Sequence, residues 1–284
     1  MNLTVQIGLI HDIVRLEEKL ILEAAQSLGV RITRFFVKKA SINLNNNEEL
    51  FDIGLQRSLS HSLAIESTHS LEASGHRVIN GSFTLASSLD KVHTLSLLRR
   101  TNIPVPETFT AFSLEGALNA ASKLQYPVVV KPINGSWGAL VSMARDEEEL
   151  RTIIEHRLRI PGIDSRVHII QEYVRKPGRD IRVTVIGEEV IASIYRVSDH
   201  WITNTSRGGR AVSFEPDQEL QELCLRVREV MKGEFLGIDV FEHPDKGNVV
   251  NEVNAVPEFK NVQRVTGIDV AKALVRYAVK EAVK

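Results

Sequence analysis

The sequence predicts an α/β protein. Over residues 3–80, short runs rich in Val, Ile, Leu and Phe alternate with stretches whose apolar residues recur at helical spacing, the order that builds strand–helix units. Towards the other end, Phe235–Asn254 reads as strand, turn and strand around HPDKG, since Pro, Asp and Gly adopt the backbone angles of a reversal. The 284 residues are 43% apolar and 25% charged, enough for about one to three compact units with a substantial core.

In order along the chain, residues 3–10 predict a strand, and residues 11–29 a helix with Leu16, Leu20, Ile21 and Ala24 on one face and Gly29 as its stop. A strand follows over 30–37, then the Asn-rich loop SINLNNNEEL, a strand within 51–59, a helix over 61–74 and a short strand at 76–80. This makes an α/β unit over residues 1–83. His11, His61 and His69 match no zinc spacing and read as surface or pocket-edge residues.

A helix is expected from Ser87, because Ser87-x-x-Asp90 has capping-box spacing and Leu89, Val92, Leu95 and Leu98 form its stripe. Lys91 stands off that stripe, either solvated or facing a cleft. The prolines of TNIPVPETF end this helix, and another runs over Ser113–Leu124. Val128–Val130 reads as a buried strand with Lys131 at its end, followed by NGSWG and a returning strand over Ala139–Ala144. Glycine lets backbone N–H groups approach phosphate oxygens. The segment carries neither a GK[ST] nor a G-x-G-x-x-G pattern, so by itself it also suits a plain β-turn. A helix over Glu147–Arg157 and a strand over Val167–Val174 complete a second unit, 84–174, where the end of the strand can offer backbone groups and Glu172 to a purine edge.

The third unit, 175–284, opens with two strands around a turn at Gly187. Asp180 and Arg182, two apart, share a strand face, and Arg196 ends the second strand. WITNTSRGGR is a polar loop of the kind that serves active sites, a helix spans 216–232, AVPEFKNVQRVTG forms a further polar loop, and Ile268–Val283 is a closing helix. In the hairpin, a turn centred on Pro244–Gly247 places Asp239 opposite Glu252, with Cβ atoms about 4.5–5.5 Å apart. Asn254 shares their face, opposite Gly237. Two opposed carboxylates repel unless a cation lies between them. Mg²⁺ satisfies that need and completes its shell with water and phosphate oxygens. A solvated sheet face bearing two acids is the other reading of the hairpin.

Net charge is −1, so no global field favours nucleic acid or an anionic membrane. The single cysteine, Cys224, cannot form an internal disulfide and reads as a small buried apolar residue in a reducing, cytoplasmic setting. No signal peptide is expected, and no apolar run approaches the roughly 18 residues of a membrane span.

Taken together, DKVHT, VVVKP–NGSWG, QEYV, GRDIR, NTSRGG and IDV…NEVN resemble, in order and spacing over essentially the whole chain, the ATP-grasp ligases. IVRLEEK, HWITNTSRGG and NEVNAVPEFKN narrow the resemblance to the RimK-like group, and within it to the ligases that join α-aminoadipate to the amino-group carrier protein LysW in lysine biosynthesis. The resemblance implies an ATP-grasp fold of three subdomains, with ATP held between two α+β units and Mg²⁺, two ions, at Asp239, Glu252 and Asn254. It implies that Lys91 and Lys131 contact nucleotide phosphates beneath the loop Gly135, Ser136, Trp137 and Gly138. Gln171, Glu172, Tyr173 and Val174 would hold adenine, and Asp180 would lie near the sugar. Arg196 with Asn204, Thr205 and Ser206, and the segment Glu258, Phe259, Lys260, Asn261 and Val262, would meet phosphate and substrate. Arg182 and Arg196 would stabilise an acyl phosphate. A small acidic carrier would dock on a basic rim including Arg207 and Arg210, and the chain would form a homo-oligomer.

One departure bears on substrate choice. Dedicated aminoadipate enzymes carry Asn followed by Ser or Thr after EFK, and dedicated glutamate enzymes carry Gly-Phe. This chain has Asn261-Val262. The substrates differ by one methylene, which apolar pockets separate by only about 1–3 kcal/mol, so dual use of aminoadipate and glutamate is expected alongside strict aminoadipate use. A RimK-like glutamate ligase with another acceptor and a non-catalytic ATP-binding module are the remaining readings. The polar NTSRGG and EFKN loops argue against the module, because nucleotide storage needs no second pocket.

Overall fold

The computed structural model describes residues 5–45, 48–135, 138–203 and 208–284. Among these residues it contains three separate sheets, one in each expected unit. The first is parallel, in the order β2-β1-β3-β4. It comprises β1 (Gln6–His11), β2 (Arg31–Phe36), β3 (Ile53–Gln56) and β4 (Val78–Ile79), with α1 (Leu16–Ser27) and α2 (His61–Ala73) between strands. Ile7, Leu9, Ile53 and Leu55 are buried on one face and Ile10 and Val78 on the other, as strands covered on both faces require.

Two helices follow where one was expected. α3 (Ser82–Leu89) stops before Asp90, and α4 (Lys91–Arg100) starts after it. Asp90 is itself the N-cap, accepting from the N–H groups of Val92 at 2.8 Å and His93 at 3.0 Å. Ser87 lies buried inside α3. The expected box starting at Ser87 does not form; α4 is capped by Asp90, whose carboxylate satisfies orphan N–H groups. This places Lys91 in the first turn of α4, aimed back along the helix axis.

The central sheet is antiparallel, β5-β8-β6-β7. It is built from β5 (Thr108–Ala111), β6 (Val128–Pro132), β7 (Ser142–Ala144) and β8 (His168–Glu172), with α5 (Leu114–Leu124) and α6 (Glu147–Arg159) packed on one side through Ala117, Ala121, Leu150 and Ile154. β5 was not anticipated. β7 is half the expected length, since Ala139–Val141 do not join the ladder.

The third sheet is antiparallel, β11-β10-β9-β12-β13. Its strands are β9 (Arg179–Ile186), β10 (Glu189–Val197), β11 (Arg210–Phe214), β12 (Phe235–His243) and β13 (Gly247–Asn254). On one face Ile181, Val183, Ile238 and Val240 pack against α7 (Gln218–Met231) and against Leu85 and Leu98 of α3 and α4. The loop expected over 255–267 contains a short helix, α8 (Lys260–Thr266), before α9 (Val270–Ala282). Both contribute to a core shared with the first sheet, α1 and β10 of the third sheet, through Val262, Leu274, Ile7, Ile21 and Ile194. Among the described residues no helix is long and apolar enough to cross a membrane.

The hairpin register has two halves. Asp239 pairs with Glu252 and Gly237 with Asn254, as expected, whereas Val240 pairs with Val250 and His243 with Gly247, one residue away from expectation. The turn is tighter than a four-residue reversal. The His243 ring nitrogen Nδ1 accepts from the N–H groups of Asp245 and Lys246 at 3.1 and 3.2 Å, and Gly247 takes φ +67°. A bulge at Asn251 absorbs the difference, and bulges re-aim side chains in this way beside functional sites.

Candidate active site

β9 turns Ile181 and Val183 into the core and Asp180 and Arg182 to the opposite face, the two-residue period of a strand. β12 does the same, with Ile238 and Val240 inside and Asp239 on the face of Arg182. Asp239 thus has Arg182 beside it on β9 and Glu252 beside it on β13. Arg182 pairs with both Asp239 oxygens through Nε and Nη2. Gly237 makes room for it, because a Cβ there would stand 2.9 Å from Arg182 Nη1 and 2.8 Å from Pro257 Cβ.

Arg196 bridges two acids. It forks onto Asp180 at 2.7 and 2.9 Å and reaches Asp239 at 2.8 Å. Asp180 also accepts from the Thr203 hydroxyl at 2.5 Å, and Lys176 Nζ lies 3.6 Å away while donating to Thr203 at 2.7 Å. Burial works against the charge of each member. For Arg196 the two aspartates outweigh it and its pKa is raised; for Asp180, Arg196 and Lys176 outweigh it and its pKa is lowered. Burial dominates at Lys176, whose pKa falls. Asp180 is therefore occupied in holding Arg196, Lys176 and Thr203.

Two further lysines enter from the other side. Lys131, at the end of β6 and only 9% exposed, donates to the bulge residue Asn251 at 2.7 Å. Burial pushes its pKa down to about 8, against the pull of Glu252. Lys91 donates to the Gly135 carbonyl at 2.8 Å and lies 3.5 Å from Glu252. Both lysines, Asp180, Arg196, Asp239 and Glu252 line one cleft between the central and third sheets, open to solvent.

Gln171, Glu172, Tyr173 and Val174 form part of the cleft wall, as do Gly135 and Gly138. The Glu172 carboxylate is nonetheless engaged, accepting from Glu107 N–H at 2.6 Å and Lys246 at 2.7 Å. Gln171 donates to Thr108 at 2.9 Å. These two side chains fasten the cleft wall. Asn254 lines an adjoining hollow that shares Lys91, Gly135 and Glu252 with the main cleft, and its amide nitrogen faces the Gly237 carbonyl at 3.3 Å. Ser136, Trp137, Asn204, Thr205, Ser206 and Arg207 lie outside the described residues.

In the segment after the hairpin, Glu258 lies 3.6 Å from Arg15 and 4.0 Å from Lys260. Asn261 faces Arg264 at 3.4 Å. Phe259 and Val262 are buried to 0 and 1% exposure in the shared core, the reverse of the substrate contact expected of their side chains. The hydrophobic pull of that core, at about 25 cal/mol per Å² buried, turns them inward while Glu258 and Lys260 stay out.

Several residues of the site carried no sequence signal strong enough to select them. Lys176 and Thr203 sit within polar loop sequence. Asn251 becomes a lysine partner only through the bulge. Asn80, at the end of β4, donates to the carbonyls of Phe235 at 2.6 Å and Ala255 at 2.7 Å and accepts from the N–H groups of Glu234 and Phe235. It tethers the first unit to both ends of the hairpin. Among the described residues no group of three or more His, Cys, Asp or Glu is arranged around a common metal position. A cation here would use two carboxylates and the Asn254 amide oxygen, leaving the rest of its shell to water or phosphate. Those hard oxygen donors fit Mg²⁺.

Residues 88–278 match the model of the RimK-like ATP-grasp domain, and residues 7–86 match that of the LysX preATP-grasp domain. The chain is 43% identical over 275 residues to the α-aminoadipate–LysW ligase LysX of Sulfurisphaera tokodaii, covering 95% of this chain and 96% of that one. It is 40% identical over 274 residues to the glutamate–LysW ligase ArgX of the same organism, covering 96% and 97%. Among solved structures it resembles a RimK domain ATP-grasp protein of Sphaerobacter thermophilus, with TM-score 0.78 and 24% identity over 96% of this chain and 99% of that one.

Proposed function

The chain belongs to the RimK-like ATP-grasp ligases, and from that membership we propose that it joins α-aminoadipate to the carrier protein LysW in lysine biosynthesis. ATP-grasp ligases use ATP and Mg²⁺. In the proposed reaction the side-chain carboxylate of the carrier's C-terminal glutamate attacks the γ-phosphate of ATP. ADP leaves, and an acyl phosphate forms on the carrier. The amino group of the incoming amino acid then attacks the acyl carbon, an amide forms, and inorganic phosphate departs with the electrons of the broken C–O bond and takes up the proton the amine loses.

The residues divide the work by charge. Lys91 and Lys131 contact the nucleotide phosphates, and the loop Gly135–Gly138 would close over them. Asp239, Glu252 and Asn254 would hold Mg²⁺, which supplies neutralisation of the phosphoryl oxygens. Arg182 and Arg196, pre-set by Asp239 and Asp180, offer N–H donors to charge that develops on the acyl phosphate. No covalent enzyme nucleophile is needed. The division at 83/84 and 174/175 is part of this reading, supported by one sheet in each span. So are a cytoplasmic location, a second Mg²⁺ and a homo-oligomeric state, the last read by light scattering.

The observation that carries the reading is the pairing of Asp239 with Glu252 on one sheet face, in a cleft reached by both Lys91 and Lys131. It is tested by incubating the protein with ATP, Mg²⁺, LysW and each amino acid and weighing the carrier. A gain of one aminoadipate residue with release of ADP is expected. No gain with either amino acid rejects the reading. Gain with both identifies a dual aminoadipate/glutamate ligase, a second reading supported by the similar identities to both kinds of relative.

A further inference from the structure

One buried charge of the central unit takes no part in the chemistry proposed above. On α6, Leu150, Ile154 and Arg157 stand at i, i+4 and i+7, a single helix face, and all three are buried. Leu150 and Ile154 pack with Val128, Val130 and Ile170 of the central sheet. Arg157, 5% exposed, continues that apolar face with a guanidinium. Its hydrogen bonds among the described residues go to an imidazole and a carbonyl, and to no carboxylate. Burial lowers its pKa. A buried charge without an opposite charge is costly, so this position has a reason beyond packing.

Both bonds lead to the rim of the ATP cleft. Arg157 Nε donates to His168 Nδ1 at 3.2 Å, and Nη1 reaches the Leu140 carbonyl at 3.4 Å. His168 lies on β8, on the same face as Ile170, and pairs with Pro132 of β6, which lines the cleft. The ring is fully buried, and burial together with the Arg157 charge pushes its pKa down to about 4. The imidazole is therefore neutral at neutral pH. An arginine only donates, so Nδ1 is the accepting nitrogen and the ring proton sits on Nε2.

Leu140 is where the hold matters. Gly138, Ala139 and Val141 line the cleft, in a turn closed by the Val141 N–H on the Gly138 carbonyl at 3.4 Å. Leu140 is the third residue of that turn and takes φ +57°, a conformation that glycine and asparagine adopt readily and leucine resists. Its side chain is 56% exposed and does not anchor the backbone. Residues in such conformations persist where their surroundings hold them. The bond from Arg157 to the Leu140 carbonyl is such a hold, because it ties the turn to a helix packed into the core.

We propose that Arg157 and His168 are positioning residues for nucleotide binding: the imidazole aims the guanidinium, the guanidinium holds the Leu140 carbonyl, and the turn thereby presents Gly138, Ala139 and Val141 to ATP as a fixed wall. This rests on the ATP site read above and deepens it. Neither side chain lines the cleft, so their effect passes through the turn. Without the brace the turn samples other conformations, and ATP must order it on binding, which weakens affinity.

Titration calorimetry of the full chain with ATP and Mg²⁺, without carrier or amino acid, tests this. Wild-type protein that binds no ATP rejects the nucleotide site itself. With binding established, Arg157→Met, His168→Leu and His168→Asn are compared. Arg157→Met keeps a buried apolar stem and loses both donors, and His168→Leu fills the space and loses the acceptor. Each should raise Kd for ATP about tenfold, the scale of one hydrogen bond to a charged group. His168→Asn sets an amide oxygen where Nδ1 stands, and its Kd should stay within about threefold of wild type. Packing alone gives the opposite order, because leucine suits an apolar core better than asparagine does. Cooperative thermal unfolding identifies the folded variants. Should Arg157→Met not fold, the two His168 variants carry the test. A Kd within about twofold of wild type in folded Arg157→Met or His168→Leu overturns the inference, as does His168→Asn weakened as much as His168→Leu.

Discussion

Lys131 shows how one side chain converts burial into pH dependence. Its pKa is pushed down to about 8 because it is desolvated, even though Glu252 opposes the shift. The folded value lies below the unfolded one, so the unfolded chain binds more protons from about pH 8 up to the ordinary lysine range. In that window the contribution of this group to stability grows as pH rises, and below it the cost of burying the charge is fully present. Nucleotide phosphates reverse the balance, because they favour the charged amine. Above pH 8 ATP binding should take up a proton, and affinity should fall by roughly tenfold per pH unit until the bound-state pKa is reached. Calorimetry at pH 8.5 in two buffers of different ionisation enthalpy checks this: the heats should differ for wild type and coincide for Lys131→Met. Asp180 provides the complementary case. Its removal leaves Lys176 without its nearby acid and Arg196 with Asp239 alone, so Asp180→Ala should lower stability by about 3 kcal/mol, the scale of a broken buried pair. Urea unfolding at neutral pH measures it, and a loss under 1 kcal/mol contradicts the account.

At the scale of elements, the hairpin β12–β13 and helix α8 show what patterning carries and what it omits. Alternation along Phe235–Asp239 and Glu252–Asn254 made the opposition of Asp239 and Glu252 readable, because strand period alone selects the face. The bulge at Asn251 was not readable, because it depends on His243 capping two N–H groups inside the turn. Helix α8 was read as loop. Seven residues hold too little periodicity to declare a helix, and its formation follows from burying Phe259 and Val262. That burial carries a prediction about substrate choice. Val262→Thr places a hydroxyl in apolar surroundings and should cost about 1–2 kcal/mol, while the ratio of kcat/KM for aminoadipate over glutamate should move by less than about tenfold. Thermal unfolding and competition kinetics report the two quantities, and a larger swing in the ratio would place the side chain in the pocket after all. Asn80 joins elements and was invisible for another reason: its four hydrogen bonds go to residues more than 150 positions away. Asn80→Ala should cost about 3 kcal/mol by leaving buried main-chain groups unpaired, as chemical denaturation will show; loss of a mere few tenths would mean that water replaces the amide.

For the molecule as a whole, the cleft is a seam between sheets rather than a feature of either. Lys91 and Lys131 come from one side, Asp180, Arg196, Asp239 and Glu252 from the other. A ligand that bridges them binds the folded chain alone. ATP with Mg²⁺ at one hundred times Kd should therefore stabilise by about 2.7 kcal/mol, visible as a higher Tm. The gain should be absent for Asp239→Asn combined with Glu252→Gln when Mg²⁺ is the only divalent ion supplied. Equal shifts in both proteins would separate nucleotide binding from these acids.

By itself the sequence determined the α/β class, most strand and helix positions, the shared face of Asp239 and Glu252, and membership of the family, because each depends on local period, turn chemistry or ordered motifs. The tertiary structure decided which charges meet. Arg196 between Asp180 and Asp239, Lys131 on Asn251, Asn80 on the hairpin and Arg15 facing Glu258 are contacts between strands, sheets and units far apart in the chain. Their partners are chosen by packing and burial, and no spacing along the chain encodes those choices.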